Sequence, residues 1–225
     1  MLIEQPPQLY RRLLPGSIWR LPKLKQEGQR TAYLTFDDGP IPEMTPWILD
    51  LLNKKGVKAT FFCVGDNVRK YPHLFERIIR EGHAVGNHTY HHLQGLYTET
   101  DRYLQDVEEA DLLIGSRLFR PPHGLLRWSQ LQALKKRGYI IVMQDVVTRD
   151  YSKQMTPEKS LQIVKDYTRD GSIIVFHDSL RSRNKLPYAL SHTIDYLRGQ
   201  GYELDLVPDK NEKIEEVRIG KRLVI

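Results

Sequence analysis

Short apolar strands alternate with amphipathic helices along almost the whole of this chain, and this alternation limits the fold to a parallel sheet covered by helices. The run 32–36 is apolar and rich in strand-forming residues, and after a turn a helical stripe of apolar side chains covers about 43–55. Further predicted strands lie near 59–64, 84–85, 118–120, 139–143, 172–176 and 202–204, and further predicted helices lie near 68–80, 99–114, 129–137, 157–168 and 188–198. About seven such units in succession predict either a doubly wound sheet or a β/α barrel.

The length and composition favour one globular domain. A chain of 225 residues is long enough for one full-sized domain with its own core and too short for two ordinary ones. Its 40% hydrophobic and 28% charged residues are typical of a globular protein rather than a disordered or fibrous one. We therefore expect a single domain over 1–225, in which the tail over 210–225 forms a short β-ribbon with no assigned function.

Charge and cysteine content bear on partners and location. The net charge of +6 is spread over short clusters, which we interpret as solvated helix faces rather than a nucleic-acid-binding surface. Arg11 and Arg12 are not followed by a long apolar stretch, so the N-terminus does not resemble a secretory signal, and Cys63 is the only cysteine, which excludes an internal disulfide. We expect a cytoplasmic protein, and the basic charge and the two arginines near Trp19 suggest peripheral contact with the inner leaflet as an additional property.

Polar side chains with catalytic potential follow the ends of the predicted strands. In chain order they are Asp37 and Asp38 after the first strand, the segment His88–His92 after the third, Arg120 at the end of the fourth, Asp150 beyond the fifth, and His177 and Asp178 at the end of the sixth. The C-terminal strand ends of a β/α barrel converge on one mouth. We therefore expect these residues to meet although they are far apart in the sequence.

The histidine-rich segment after the third strand and the carboxylate pair after the first suggest a metal site. Histidines four residues apart, such as His88 and His92, present both imidazoles to one point if the segment turns helically, and His88 with His91 is a second possible spacing. Two imidazoles and one carboxylate leave coordination positions open for water and substrate, and the other carboxylate is then free to act as a base. Because a bound divalent metal lowers the pKa of its water to about 7, amide hydrolysis at neutral pH becomes feasible, with His177 as a candidate acid for the leaving nitrogen.

Five segments of the chain resemble, in order, the five motifs of the polysaccharide deacetylase family, the NodB-homology group among the carbohydrate esterases. They are Thr35-Phe36-Asp37-Asp38-Gly39-Pro40, His88-Thr89-Tyr90-His91-His92, Arg120-Pro121-Pro122-His123-Gly124, Asp150-Tyr151 and Val175-Phe176-His177. The resemblance spans about 31–206. It implies a distorted (β/α)7 barrel and a metal-dependent hydrolase that removes N-acetyl groups from amino sugars in poly- or oligosaccharides. Zinc is the metal that the resemblance implies, although such a ligand set also accepts cobalt, nickel, iron or manganese.

The resemblance also implies a role for each matching residue. The implied metal ligands are Asp38, His88 and His92, the implied base is Asp37 with Arg120 orienting it, and the implied acid is His177 with Asp150 tuning it. Substrate contacts are implied for Pro122, His123, Tyr151 and Val175. Asp150 beside His177 would raise the imidazole pKa and so favour the protonated form that an acid needs.

Two motifs depart from the family pattern. His123 stands where the third motif usually has tyrosine, and the fourth motif has Val147 in place of its first carboxylate and Tyr151 in place of tryptophan. The backbone N–H of His123 can still bind an oxyanion, so we interpret the departures as altered specificity. Two alternatives stay open: a deacylase or deformylase of a lipid-linked amino sugar, and a non-catalytic carbohydrate-binding protein that has kept the barrel.

Overall fold

One curled parallel sheet forms the centre of the computed structural model, which describes residues 4–22 and 30–209. Its strands within those ranges are β1 (Arg30–Asp37), β2 (Thr60–Cys63), β3 (Ala84–Asn87), β4 (Leu118–Phe119), β5 (Ile140–Ile141), β6 (Val146–Val147), β7 (Ser172–His177) and β8 (Tyr202–Leu204). The order across the sheet is β5-β4-β3-β2-β1-β7-β6, and β8 pairs with the first residues of β1. The β-ribbon predicted over 210–225 lies outside the described residues.

Helices cover the outer face of the sheet. They are α1 (Gln8–Leu13), α2 (Thr45–Lys55), α3 (Gly65–Lys70), α4 (Pro72–Arg80), α5 (Thr100–Ile114), α6 (Trp128–Lys136), α7 (Pro157–Tyr167) and α8 (Leu186–Gly199). None of the helices in the described ranges is both long and apolar enough to cross a bilayer.

The single helix predicted over 68–80 was wrong, because the structure has α3 and α4 there. The break falls at Tyr71, whose φ and ψ of −129° and 56° are not helical. Pro72 explains it, since proline has no N–H to donate and disfavours the helical conformation in the residue before it.

The N-terminal segment lies across the open side of the sheet. Ile18 pairs in parallel with Val142 just beyond β5, and the N–H of Val147 in β6 donates to the carbonyl of Glu4. The sheet is therefore a barrel that is open between β5 and β6, since these two strands do not pair with each other. Residues near the N-terminus bridge the opening. Neither α1 nor β6 was predicted from the sequence.

Side chains inside the curled sheet form layers along its axis. Strands β1 and β7 pair in register, with Thr35 opposite Val175 and Asp37 opposite His177. Because side chains two residues apart share a face, Tyr33 and Ile173 lie deepest, Thr35 and Val175 come next, and Asp37 and His177 reach the mouth. Phe62 and Val142 are fully buried and belong to the same apolar cluster as Tyr33 and Ile173. The polar residues predicted at the strand ends therefore lie above a buried apolar cluster.

Candidate active site

Three candidate metal ligands converge at the mouth of the barrel. Asp38 follows β1, and His88 and His92 follow β3; these two strands flank β2 in the sheet. Asp38 Oδ1 lies 3.2 Å from His92 Nε2 and 3.7 Å from His88 Nε2. One ligand atom from each residue lies within 4.8 Å of the other two, which is a spacing that one cation can span. His92, rather than His91, is therefore the histidine that joins His88 at Asp38.

The protein holds His88 in the tautomer that a metal requires. The His88 ring is 2% exposed, and its Nδ1 donates to the backbone carbonyl of Arg120 at 2.7 Å. This bond leaves the lone pair of Nε2 directed at Asp38. Burial lowers the pKa of His88 to about 4, so the ring is neutral at physiological pH. Burial alone would raise the pKa of Asp38, but hydrogen bonding to His92 and the nearby imidazoles hold it well below its usual range.

Backbone strain is concentrated at this site. Asp38, His92 and His123 have φ values of 82°, 56° and 58°, in the left-handed region that side chains other than glycine rarely adopt. Each such residue costs about 1–3 kcal/mol and persists only where surrounding contacts impose it. Directing these three side chains into one cleft therefore lowers the stability of the fold.

Arg120 contacts both a candidate metal ligand, His88, and the candidate base, Asp37. Its carbonyl orients His88, and its guanidinium Nη1 donates to Asp37 Oδ1 at 2.7 Å. The same Nη1 donates to Thr35 Oγ1 at 2.7 Å, while the guanidinium lies 4.0 Å above the ring of Phe62. Arg120 is 1% exposed, so the ion pair with Asp37 is almost free of solvent. Thr35 is a positioning residue that the sequence analysis did not identify, although it stands in the first motif.

His177 and Asp150 form a second ion pair at the mouth. Asp150 Oδ1 lies 2.7 Å from His177 Nδ1, and Asp150 Oδ2 accepts the backbone N–H of His177. Burial alone would lower the pKa of His177, but the Asp150 carboxylate, with further help from Asp38 and Asp37, raises it to about 9. His177 therefore carries a proton at neutral pH. Tyr151 packs edge-on against its ring, with centroids 4.6 Å apart.

The cleft over these groups contains most of the predicted substrate contacts. His123, Tyr151 and Val175 line it, whereas Pro122 is buried and is not among the lining residues. The lining also includes Gly124, Gln144, Val147 and Arg181, of which only Val147 and Gly124 belong to segments discussed in the sequence analysis.

Among the described residues, Asp37 and Asp38 are the only carboxylates that line the cleft, and neither belongs to the fourth motif, where Val147 replaces the usual carboxylate. Asp145, two residues earlier, is the nearest candidate in the sequence. Its carboxylate instead binds Arg11 at 2.6 Å, Arg169 at 2.8 Å and the hydroxyl of Ser172. These partners lie at the start of β7 and on α1, away from the residues that line the cleft.

Asp106 fixes the turn that carries both candidate histidine ligands. This buried carboxylate of α5 accepts the backbone N–H groups of Tyr90 and His91 at 2.8 and 3.0 Å, and its other oxygen contacts His91 Nδ1. His91 thus has a structural partner of its own. Asp106 was not predicted from the sequence, since an aspartate in the middle of an amphipathic helix gives no sign that it faces a loop.

We expect Asp106→Ala to weaken metal binding by about 10–100-fold, because the turn between His88 and His92 loses three hydrogen bonds. The backbone N–H of His91 would also lose its acceptor, which costs about 1–3 kcal/mol, whereas that of Tyr90 keeps the backbone carbonyl of residue 106. Isothermal titration with Zn²⁺ and thermal unfolding would measure the two effects. Glu108→Ala, on an exposed position of the same helix, is the matched control. Unchanged metal affinity in a folded Asp106→Ala protein would contradict the positioning role.

Known proteins resemble this chain in both sequence and structure. The polysaccharide deacetylase family model matches residues 24–142. A peptidoglycan-N-acetylglucosamine deacetylase of Bacillus cereus is 31% identical over 205 residues, which cover 85% of this chain and 91% of the relative. A chitooligosaccharide deacetylase of a Bradyrhizobium species is 33% identical over 199 residues, which cover 80% and 90%. A solved structure of a peptidoglycan N-acetylglucosamine deacetylase superposes with a TM-score of 0.81 at 29% identity and covers 90% of this chain and 95% of that one.

The match extends over most of the chain. The family model alone covers more than half of the chain, and the relatives are aligned over most of their own length. The expected distorted (β/α)7 barrel is confirmed by the solved neighbour. The chain belongs to the polysaccharide deacetylase family.

Proposed function

We propose that the chain hydrolyses the N-acetyl amide of amino sugars in oligo- or polysaccharides, using a divalent metal held by Asp38, His88 and His92. The observation that carries the proposal is that the candidate metal ligands, the candidate base and the candidate acid are separate residues at the mouth of the barrel. Three ligand atoms converge on one point, while the adjacent Asp37 is held by Arg120 and is not part of that ligand group. A protonated imidazole, His177, stands opposite Asp37 in the register of β1 and β7.

The donor set fits a transition metal, and we propose zinc. Two imidazoles whose Nε2 atoms face Asp38 and one carboxylate oxygen form a three-residue site that keeps positions open, as catalytic zinc sites do. The contact of His88 Nδ1 with a backbone carbonyl is the type of supporting bond that metal-binding histidines make. When bound, the cation would supply a Lewis acid that polarises the amide carbonyl and makes a water nucleophilic near pH 7.

The chain's own residues would move the protons. Asp37 takes a proton from the attacking water, and Arg120 keeps that carboxylate in one orientation. His177 gives its proton to the nitrogen as the C–N bond breaks, so the products are acetate and a free amine. Asp150 keeps His177 protonated for this step. The backbone N–H of His123 is positioned by its left-handed conformation at the cleft and is our candidate for an oxyanion donor.

Polymers of N-acetylglucosamine are the substrates we favour. The relatives reported above are named as deacetylases of peptidoglycan N-acetylglucosamine and of chitooligosaccharides. The cleft is open and bordered by aromatic side chains of His123 and Tyr151, against which a sugar ring can pack.

A lipid-linked amino sugar is a second candidate, which the surface of α1 favours. Leu9 and Leu13 are 72% and 60% exposed on this helix, and the neighbouring Tyr10 donates a hydrogen bond to the carbonyl of Gly124 at the cleft. Arg11 does not contribute to such a surface, because it pairs with the buried Asp145. Sedimentation with anionic vesicles at low salt tests this candidate, and a Leu9→Ser, Leu13→Ser protein that sediments equally well would exclude α1 as the contact.

The proposed function is tested by acid release from a metal-defined protein. The chain is stripped with a chelator, reloaded with one equivalent of Zn²⁺, Co²⁺, Ni²⁺, Mn²⁺ or Fe²⁺, and incubated with N-acetylglucosamine oligomers and with peptidoglycan fragments. We expect one tightly bound metal per chain and release of acetate, detected by mass spectrometry, only from the loaded protein. A chain that binds no divalent metal and releases no acid would favour the non-catalytic alternative.

A further inference from the structure

The turn over Pro122–Gly124 carries the N–H that is our candidate oxyanion donor, and its backbone is strained. His123 and Gly124 have φ values of 58° and 70°, so two successive residues lie in the left-handed region. Unlike glycine, His123 has a Cβ, and this conformation costs it about 1–3 kcal/mol and persists only where surrounding contacts impose it. The residues that make those contacts therefore hold the donor in place.

A chain of hydrogen bonds runs through this turn to the donor. The carbonyl of Gly124 accepts the hydroxyl of Tyr10. The same peptide group contains the N–H of Leu125, which donates to the carbonyl of Pro122 at 3.3 Å. That carbonyl in turn shares its planar peptide group with the N–H of His123. Because hydrogen bonds in a chain polarise one another, the Tyr10 hydroxyl acts on the His123 N–H through two peptide groups.

Tyr10 is itself fixed by contacts on α1 and beside it. The next residue, Arg11, pairs with the fully buried carboxylate of Asp145 at 2.6 Å. The ring of Tyr10 packs edge-on against the buried ring of Trp19, with centroids 5.7 Å apart. A hydroxyl on a ring that is held in this way can restrain a backbone carbonyl.

The orientation of an oxyanion donor affects the transition state more than the bound substrate. Negative charge develops on the amide oxygen as water adds to the carbonyl carbon, so a donor directed at that oxygen acts mainly on kcat. Removing such a donor outright lowers kcat by about 10²–10³-fold. A donor that stays in the site but loses its orientation should lower kcat by a smaller factor.

We propose that Tyr10 is a positioning residue, which holds the turn over 122–125 so that the N–H of His123 is directed at the developing oxyanion. This inference rests on the proposed amide-hydrolase function and adds to it a residue that precedes all five motifs in the sequence. The N-terminal segment that bridges the open side of the barrel thus also shapes the catalytic cleft.

The test is Tyr10→Phe, which removes the hydroxyl and keeps the ring that packs against Trp19. Acetate release from N-acetylglucosamine oligomers is measured with the zinc-loaded chain, and zinc affinity is measured by isothermal titration. We expect kcat to fall about tenfold while KM and zinc affinity stay within about twofold of wild type, because the affected donor acts on the transition state.

The backbone amides give a second readout that does not depend on activity. In ¹H–¹⁵N spectra, the amide protons of His123 and Leu125 should shift upfield in Tyr10→Phe, because both become less polarised donors. Tyr202→Phe is the matched control, since it removes a hydroxyl that also donates to a backbone carbonyl, that of Thr168, at the other end of β1. It should leave kcat and both resonances unchanged.

The possible results separate this inference from the proposed function. Wild-type kcat or unmoved amide resonances in a folded Tyr10→Phe protein overturn the inference. A loss of zinc together with activity, or an equal fall in kcat in Tyr202→Phe, would also contradict a positioning role. If the wild-type chain releases no acid, the proposed function fails, and the resonances of His123 and Leu125 alone then decide whether Tyr10 holds the turn.

Discussion

Asp37→Asn is expected to lower the rate of acetate release by about 10²–10⁴-fold while one metal ion per chain stays bound. An asparagine amide has nearly the shape of the carboxylate but cannot take a proton from water, and general-base catalysis contributes a factor of this size. The ligand group Asp38, His88 and His92 does not include Asp37, so metal binding should survive. Acid release and metal content, measured on the same preparation, check both parts.

The variant should also be less stable, and the assay must allow for this. Arg120 is 1% exposed and would lose its only charged partner among the described residues, which costs about 3–5 kcal/mol for a buried pair. Asp195→Asn, which removes an exposed carboxylate paired with Lys55, is the matched control and should keep full activity. If Asp37→Asn retains more than a tenth of the wild-type rate below its melting temperature, another group acts as the base.

The location of the site could be predicted from the sequence because parallel strands have a direction. Asp37, His88, Arg120 and His177 each follow an apolar run, and in a barrel those ends meet at one mouth. The structure brings all four there. The choice between His91 and His92 could not be made from spacing alone. It depends on the left-handed φ of His92 and on the contact of His91 with Asp106, both of which belong to the folded loop.

The supporting residues were harder to predict, for a physical reason. Asp106 lies in α5 and Tyr10 in α1, and neither has a neighbour in the sequence that marks it as part of a site. Each is defined by what it contacts across the fold: a loop 15 residues away for Asp106, and the carbonyl of Gly124 for Tyr10. Residues of this kind carry little local signal, because their environment is built by distant segments.

The strands of the sheet also differ in whether the local sequence or distant contacts make them form. The long buried strands β1 and β7 stand out as apolar runs, whereas β6 has only two residues, Val146–Val147, and owes its place to pairing with β7. The bridging of β5 and β6 by the N-terminal segment depends on single contacts, such as that between Ile18 and Val142. Such contacts leave no periodic pattern in a sequence.

Asp150→Asn is expected to lower kcat/KM at pH 8 by about 100-fold and to move the alkaline limb of the pH–rate profile to lower pH. Asp150 is fully buried, and its carboxylate is the main group that raises the pKa of His177 to about 9. Because the raised pKa keeps His177 protonated, wild-type activity that depends on this proton should persist above the ordinary histidine pKa and be lost as the pH rises through about 9. In the variant the amide carries no charge, burial then dominates, and the proton is lost at lower pH.

The direction of the shift separates this tuning role from a purely structural one. A bound cation beside Asp38 would cancel part of the contribution that Asp38 and Asp37 make, but Asp150 contacts Nδ1 directly at 2.7 Å, so its contribution should persist in the loaded enzyme. Asp145→Asn is the matched control, since it also removes a fully buried, ion-paired carboxylate, at a position outside the cleft. It should lower the melting temperature and leave the alkaline limb in place. The ion pair between Asp150 and His177 also contributes stability that is fully present below about pH 6.5 and is lost as the pH rises through about 9. The difference in the free energy of unfolding between wild type and Asp150→Asn should therefore shrink over that interval. A profile whose alkaline limb does not move in Asp150→Asn would mean that another group donates the proton to the leaving nitrogen.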